Sequence, residues 1–196
     1  FVILGASGVG KSSFLRAGLL PRLSRDTEHF FVLSPLRPDR AAITGPQGLL
    51  ASLHTALGSA TQTINLAQIR AELAEAGLAD LLRRIVSSQD SAKRDGGPLA
   101  RTVVIPIDQG EELFAIDGQA EAQQLLQHIE NLLGQITAEA RSKIDSHLRV
   151  LFVMSFRSDF LPLLQQHAGL QALSPVLFSL PPMPRSEFKA VIEGPA

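Results

Sequence analysis

The stretch "GASGVGKSS", Gly5 to Ser13, follows directly on the apolar run "FVIL" and constrains the fold of this chain more than any other segment. It fits the spacing G-x-x-x-x-G-K-[ST] with Gly5, Gly10, Lys11 and Ser12. Gly5, Gly8 and Gly10 permit backbone angles that turn successive N–H groups toward one anion. A helix starting near Lys11 aims its unsatisfied N–H groups and positive dipole end at the same point. Such a loop belongs between a buried strand and a helix, so the pattern predicts a strand over residues 1–4 and a helix over 11–20. In that setting Lys11 reaches the β- and γ-phosphates of a nucleotide, and the Ser12 hydroxyl sits on Mg²⁺. The candidate phosphate-binding set is Gly5, Ser7, Gly8, Val9, Gly10, Lys11, Ser12 and Ser13, with the Ser13 side chain read as helix surface.

Further strands are predicted at 29–34, 102–107, 148–155 and 176–180. The runs at 1–4, 102–107 and 148–155 are nearly continuous hydrophobics, as in parallel strands covered on both faces. Helical patterns lie between them at 47–57, 66–86, 119–133 and 159–166. Leu125, Ile129, Leu132, Leu133 and Ile136 keep helical spacing and are read as core. The connection over 87–101 is polar, with Lys93, Arg94, Asp95, Gly96 and Gly97. This alternation predicts an α/β fold, an open parallel sheet with helices on both faces. Ligands then bind at the carboxyl ends of the strands.

Composition narrows the function classes. The chain has 196 residues, 45% hydrophobic and 19% charged, which suits one soluble globular domain. A net charge of −1 gives no electrostatic case for nucleic acid or a membrane surface. There is no Trp or Tyr, so base stacking would rest on ten Phe. The absence of Cys excludes disulfides and thiolate metal sites. The five His show no close ligand spacing. No apolar stretch approaches the ~20 residues that cross a bilayer. The chain opens inside a strand pattern and ends at "GPA", which reads as a piece of a longer protein. Residues 1–181 are assigned to a nucleotide-binding core and 182–196 to the start of a following helical segment. The expected compartment is cytoplasmic.

A second site lies in "VVIPIDQGEELF", Val103 to Phe114, where an apolar run stops at Asp108. A phosphate loop needs a carboxylate at the end of another parallel strand to hold Mg²⁺, and Asp108 has that position. Hydrolysis also needs a group that orients or deprotonates the attacking water. The neighbour of Asp108 is Gln109, so the candidates are Glu112 first and Glu111 close behind. One of the two acids can instead serve a helix start, where negative charge is favoured. Pro106 is anomalous in a central strand, because it removes a ladder donor. The run "LRVLFVMSFRSDF" ends with Arg157, which at a strand tip would sense the γ-phosphate and stabilise developing charge. The competing expectation is a surface pair between Arg157 and Asp159.

Together "FVILGASGVGKSSFLRAGLLPRL", "VIPIDQGEELF", "FRSDFLPLL" and "LPPMPRSEFKAVIEGPA" resemble the STAND class of P-loop NTPases, in its novel bacterial branch. The first motif is generic; "DQGEELF" and "IEGPA" make the resemblance specific. It implies a P-loop three-layer sandwich whose five-stranded sheet has the order 5-1-4-3-2, with the Arg157 strand between the phosphate-loop and Asp108 strands. It implies ATP or ADP with Mg²⁺. It also implies a signalling switch, closed with ADP and assembling as a homo-oligomer with ATP, that activates fused effector and sensor domains, with links to bacterial defence. The acidic block resembles that of the NACHT relatives, where acids follow the metal Asp at three and four residues, as Glu111 and Glu112 do. Gly194-Pro195 resembles a Gly-x-Pro adenine contact with the spacing collapsed, which makes Pro195 a candidate.

Two other functions stay open. One is a scaffold that holds nucleotide without turnover, given Gln109 beside Asp108. The other is a DNA-directed AAA-type ATPase, whose core looks alike. A GTPase is disfavoured, since "SKID" at Ser142–Asp145 precedes the fourth strand. The reading predicts that Lys11→Ala abolishes MgATP binding on titration. Unchanged affinity would remove the phosphate-loop assignment.

Overall fold

The structure, a computed structural model, describes residues 1–39, 41–58, 65–91, 101–114, 119–141, 148–167, 169–170, 175–182 and 184. Its sheet has five parallel strands: β1 (Val2–Gly5), β2 (Phe30–Val32), β3 (Thr102–Ile107), β4 (Arg149–Arg157) and β5 (Leu177–Ser179). Their order is β2-β3-β4-β1-β5. Taken from the other edge this is 5-1-4-3-2, the order that the resemblance implied, and the α/β class stands.

The first helical run is α1 (Lys11–Ser13), a π segment Phe14–Leu19, and α2 (Leu20–Arg25). Then come α3 (Leu49–Gly58), α4 (Leu66–Glu75), α5 (Gly77–Ser91), α6 (Gln119–Arg141) and α7 (Leu161–Gln166). The predicted helix over 66–86 is therefore two helices. Gly77, at φ 83°, takes a left-handed backbone that breaks the helical path. Asn65 starts α4 through a capping box with Gln68. Residues 87–91, expected in a loop, continue α5. The rest of that connection, 92–100, lies outside the described residues, as does most of 182–196.

Strand alternation sorts the side chains into two layers. Val2 and Leu4, Val103, Ile105 and Ile107, and Met154 and Phe156 pack on α3, α4, α5 and α6. Ile3, Val104 and Val153 face the other way, onto Leu15 and Leu20 of the first helical run. In α6 the buried Ala122, Leu125, Leu126, Ile129 and Leu132 form one stripe at helical spacing. Asp108 has the parity of Val104, one residue past β3, and Ser155 has the parity of Val153. Both therefore project toward the first helical run.

Pro106 now has an explanation. Its carbonyl accepts from Leu36 N at 2.8 Å. A strand residue's N and C=O point to the same side, so the proline nitrogen also faces the β2 edge. The chain beyond β2 bonds β3 at Leu33 and again at Leu36 and leaves the sheet between them. The Ser34 carbonyl in that gap accepts instead from the hydroxyl of buried Ser52, at 2.8 Å. Pro106 thus sits where β3 has no ladder acceptor to serve.

Ser52→Ala should then cost about 1 kcal/mol, through the carbonyl that it leaves unpaired. Thermal unfolding would show it as a midpoint lower by about 2–4 °C. An unchanged midpoint would mean that solvent serves the Ser34 carbonyl.

Candidate functional site

The phosphate loop leaves the sheet at Gly5, which lies opposite Arg157 in the β1–β4 register. Gly8 (φ 80°) and Gly10 (φ 91°) both occupy the left-handed region that disfavours other residues. A Cβ at Gly5 would come within 2.7 Å of Val9 Cγ2 and 3.1 Å of the Leu180 carbonyl, so the loop closes tightly over the strand end. Ala6, Ser7, Gly8 and Gly10 are exposed and Val9 is half-buried. Lys11 is buried, and its Nζ donates to the carbonyls of Gly5 at 2.9 Å and Ala6 at 2.8 Å. Its amine is thereby held under the loop it would serve. Ser13 is exposed on the helix, as its side chain was expected to be.

Asp108 is the electrostatic centre, with only 3% of its surface exposed. Its Oδ1 accepts from Ser12 Oγ at 2.8 Å and from Ser155 Oγ at 2.7 Å. Its Oδ2 accepts from Arg16 Nε at 2.7 Å. Its own N donates to the Leu36 carbonyl at 2.8 Å. Burial by itself would raise its pKa; the hydrogen bonds from Ser155, Ser12 and Arg16, with the Arg16 charge, outweigh that and hold it below the usual carboxylate range. Asp108 is therefore an anion at neutral pH.

The metal expected here can be tested against the donors. Ser12 and Asp108 supply hard oxygens that already touch. Among the described residues no group of three or more His, Cys, Asp or Glu could hold an ion by itself. A sparse oxygen set of this kind suits Mg²⁺, which takes one or two protein ligands and fills its shell with water and phosphate oxygens.

After Asp108 the chain turns through Gln109, whose φ of 60° is left-handed, into a 3₁₀ turn, Gly110–Phe114. Gln109 N donates to Ser155 Oγ at 2.8 Å, which fixes the start of that turn against β4. Gly110 is required by contact: a Cβ there would collide with the Met154 side chain and come within 3.0 Å of Phe156. Leu113 is buried, and Phe114 meets Phe156 edge-on at 6.0 Å. "DQGEELF" is thus a packing motif as well as an acidic one.

The two acids behave differently. Glu111 Oε2 accepts from the backbone N of Arg157 at 3.2 Å, which ties it to the tip of β4. Glu112 has Oε2 buried with no hydrogen-bond partner among the described residues. Its Oε1 stands 4.0 Å from Arg37. Burial pushes the Glu112 carboxyl up; Arg37 lowers it, and Asp39, Glu111 and Asp108 raise it further. An acid with an idle oxygen and a raised pKa has the character of a proton acceptor. The Arg157 guanidinium, in contrast, lies on Asp159 with its NH2 group at 2.5 Å, and over the Phe160 ring at 5.0 Å. This is the surface pair weighed above, and it occupies the guanidinium.

The structure thus brings Ser12 and Asp108 together, with Lys11 under the adjoining loop and Glu111 and Glu112 on the turn after Asp108. Pro195 lies outside the described residues. Sequence reasoning missed Ser155, Arg16 and Arg37. Ser155 was findable from strand parity, and Arg16 from its place one turn beyond Ser12. Arg37 had no local signal, because its approach to Glu112 depends on the excursion after β2.

The family model described as Novel STAND NTPase 1 matches residues 1–196. No curated protein matches the chain. Among solved structures, the Aeropyrum pernix ORC1 protein in complex with DNA is similar at 16% identity with a TM-score of 0.48, a match covering 98% of this chain and 42% of that one. A likeness that distant carries no functional argument.

Glu112 has a consequence for stability. Its folded pKa is raised above the ordinary value of 4.5, so the fold binds the proton more tightly than the unfolded chain does. Stability therefore falls as pH rises through 4.5 and the folded pKa, and it stays lower at neutral pH. Glu112→Gln should raise the unfolding midpoint at pH 7 by about 1–3 °C, with the gain vanishing below about pH 4. A lower midpoint at pH 7 would mean that the Arg37 contact outweighs the cost of burial.

Proposed function

The chain belongs to the Novel STAND NTPase 1 family, and on that premise we propose that it binds ATP with Mg²⁺ at the phosphate loop and hydrolyses it slowly, as the switch of a longer signalling protein. The observation that carries this reading is the 2.8 Å hydrogen bond between Ser12 and Asp108. It joins the helix after the phosphate loop to the end of a strand that lies 96 residues away in sequence. Two oxygen ligands in contact at the mouth of a glycine-rich loop suit one ion shared with a nucleotide.

Each residue then has a role. The backbone from Gly5 to Ser12 cradles the phosphates, and Lys11 offsets their charge. Ser12 and Asp108 hold Mg²⁺, which when bound neutralises charge on the phosphate oxygens. Glu112 orients a water and accepts its proton as the oxygen attacks the γ-phosphorus. The bond from that phosphorus to the bridging oxygen breaks, and ADP and phosphate leave. Glu111 supports the turn through Arg157 N. Arg157 would need to leave Asp159 to reach a γ-phosphate, and we keep that role as part of the proposal.

The switch itself is argued from the family. ADP would hold the closed state, and ATP would favour a homo-oligomer that activates fused effector domains in the cytoplasm. A second reading, a scaffold that never turns nucleotide over, is favoured by Gln109, an amide where an adjacent acid would be the simpler base.

Steady-state hydrolysis separates the two. Glu112→Gln should lower kcat by about 10²- to 10⁴-fold with ATP affinity unchanged. The same loss in Glu111→Gln alone would move the base to Glu111. No turnover in the unaltered protein, with nucleotide tightly held, would favour the scaffold.

A further inference from the structure

We propose that Arg16 is the resident cation of Asp108, so that loading a divalent ion at this carboxylate is a cation exchange whose affinity Arg16 sets. The proposal rests on the reading of Asp108 as the metal carboxylate.

The two carboxylate oxygens of Asp108 have different partners. Oδ1 accepts from two hydroxyls, Ser12 and Ser155. A hydroxyl can go on donating while its lone pairs face a metal, so that side is compatible with an ion as it stands. Oδ2 accepts from Arg16 Nε at 2.7 Å. A guanidinium cannot lose its charge, so while it holds Oδ2 it sets a fixed positive charge beside any metal ion at this carboxylate, and the two repel. Release of that one charge therefore favours the arrival of two.

The surroundings make that exchange possible. The Asp108 side chain is 4% exposed, whereas that of Arg16 is 38% exposed. The guanidinium is therefore well exposed to solvent, whereas the carboxylate is nearly covered. A buried carboxylate without a counter-charge is costly, so Arg16 stabilises the site until a metal takes over. Arg16 also lies in the π segment, Phe14–Leu19, that directly follows Lys11, Ser12 and Ser13. The phosphate-loop helix thus carries both the hydroxyl that would ligate the ion and the cation that opposes it. Lys11 does not share this role, since its amine is bound to the Gly5 and Ala6 carbonyls. Metal affinity is low while Arg16 is seated, and the ion loads as Arg16 swings out.

The test is Mn²⁺ titration of the protein with saturating ADP, following free Mn²⁺ by electron paramagnetic resonance. Arg16→Ala should bind Mn²⁺ about tenfold more tightly than the unaltered protein. Arg16→Lys keeps a charge that can be displaced and should stay within about threefold of it. Arg16→Gln serves if the alanine variant does not fold. Equal or weaker Mn²⁺ affinity in Arg16→Ala or Arg16→Gln would overturn the competition. Asp108→Asn tests the underlying reading separately: it should weaken Mn²⁺ binding whatever stands at position 16. If Asp108→Asn left the affinity unchanged, the metal assignment would fall. If only the Arg16 variants failed to tighten binding, the metal site would stand and the exchange would not.

Discussion

A carboxylate buried at the end of a central strand has to be satisfied, or it costs several kcal/mol. Asp108 meets that requirement with three donors: Ser12 and Arg16 on the first helical run and Ser155 on β4. The phosphate loop, the Asp108 strand and the strand between them are therefore locked in mutual register around one charge. The 3₁₀ turn that follows is tied to the same point through Gln109 N and Ser155. The arrangement of the site is in large part the solution to the problem of burying this anion.

Glu112 shows the opposite condition four residues on. Asp108 is stabilised as an anion, whereas Glu112 is burdened by burial and by neighbouring acids. A pair of carboxylates pushed in opposite directions by their surroundings gives one a persistent charge and, in the proposed function, makes the other a base that changes state. Arg37 and Arg16 stand against these two acids, one each, and both are partly exposed. Guanidinium groups this exposed can be displaced, and the exchange proposed at Asp108 draws on that property.

Much of this was legible in the chain because the signals are local. "GASGVGKSS" after "FVIL" specifies strand, loop and helix through glycine backbone freedom and dipole direction. The run "VVIPI" ending at Asp108 marks a covered strand and its polar tip. Other features were hidden because they depend on contacts made elsewhere. Pro106 looked out of place until the excursion between Leu33 and Leu36 removed the need for its donor. The helix over 66–86 broke at Gly77, whose left-handed backbone the apolar periodicity does not register. Arg157 looked like a phosphate sensor from its place at a strand tip, yet its guanidinium rests on Asp159 and Phe160.

The sequence by itself determined the fold class and named the residues of the proposed site: a glycine loop, Lys11, Ser12, and an acid at the end of a second apolar run. These follow from periodicity and backbone sterics, which act over a few residues. Only the tertiary structure decided what each acid can do. The strand order placed Asp108 beside Ser155, and parity turned both toward Ser12 and Arg16. The packing of Gly110 on Met154 and Phe156 set where Glu111 and Glu112 point. Charge and burial at one carboxylate are sums over neighbours from distant parts of the chain, and such sums exist only once the chain has closed on itself.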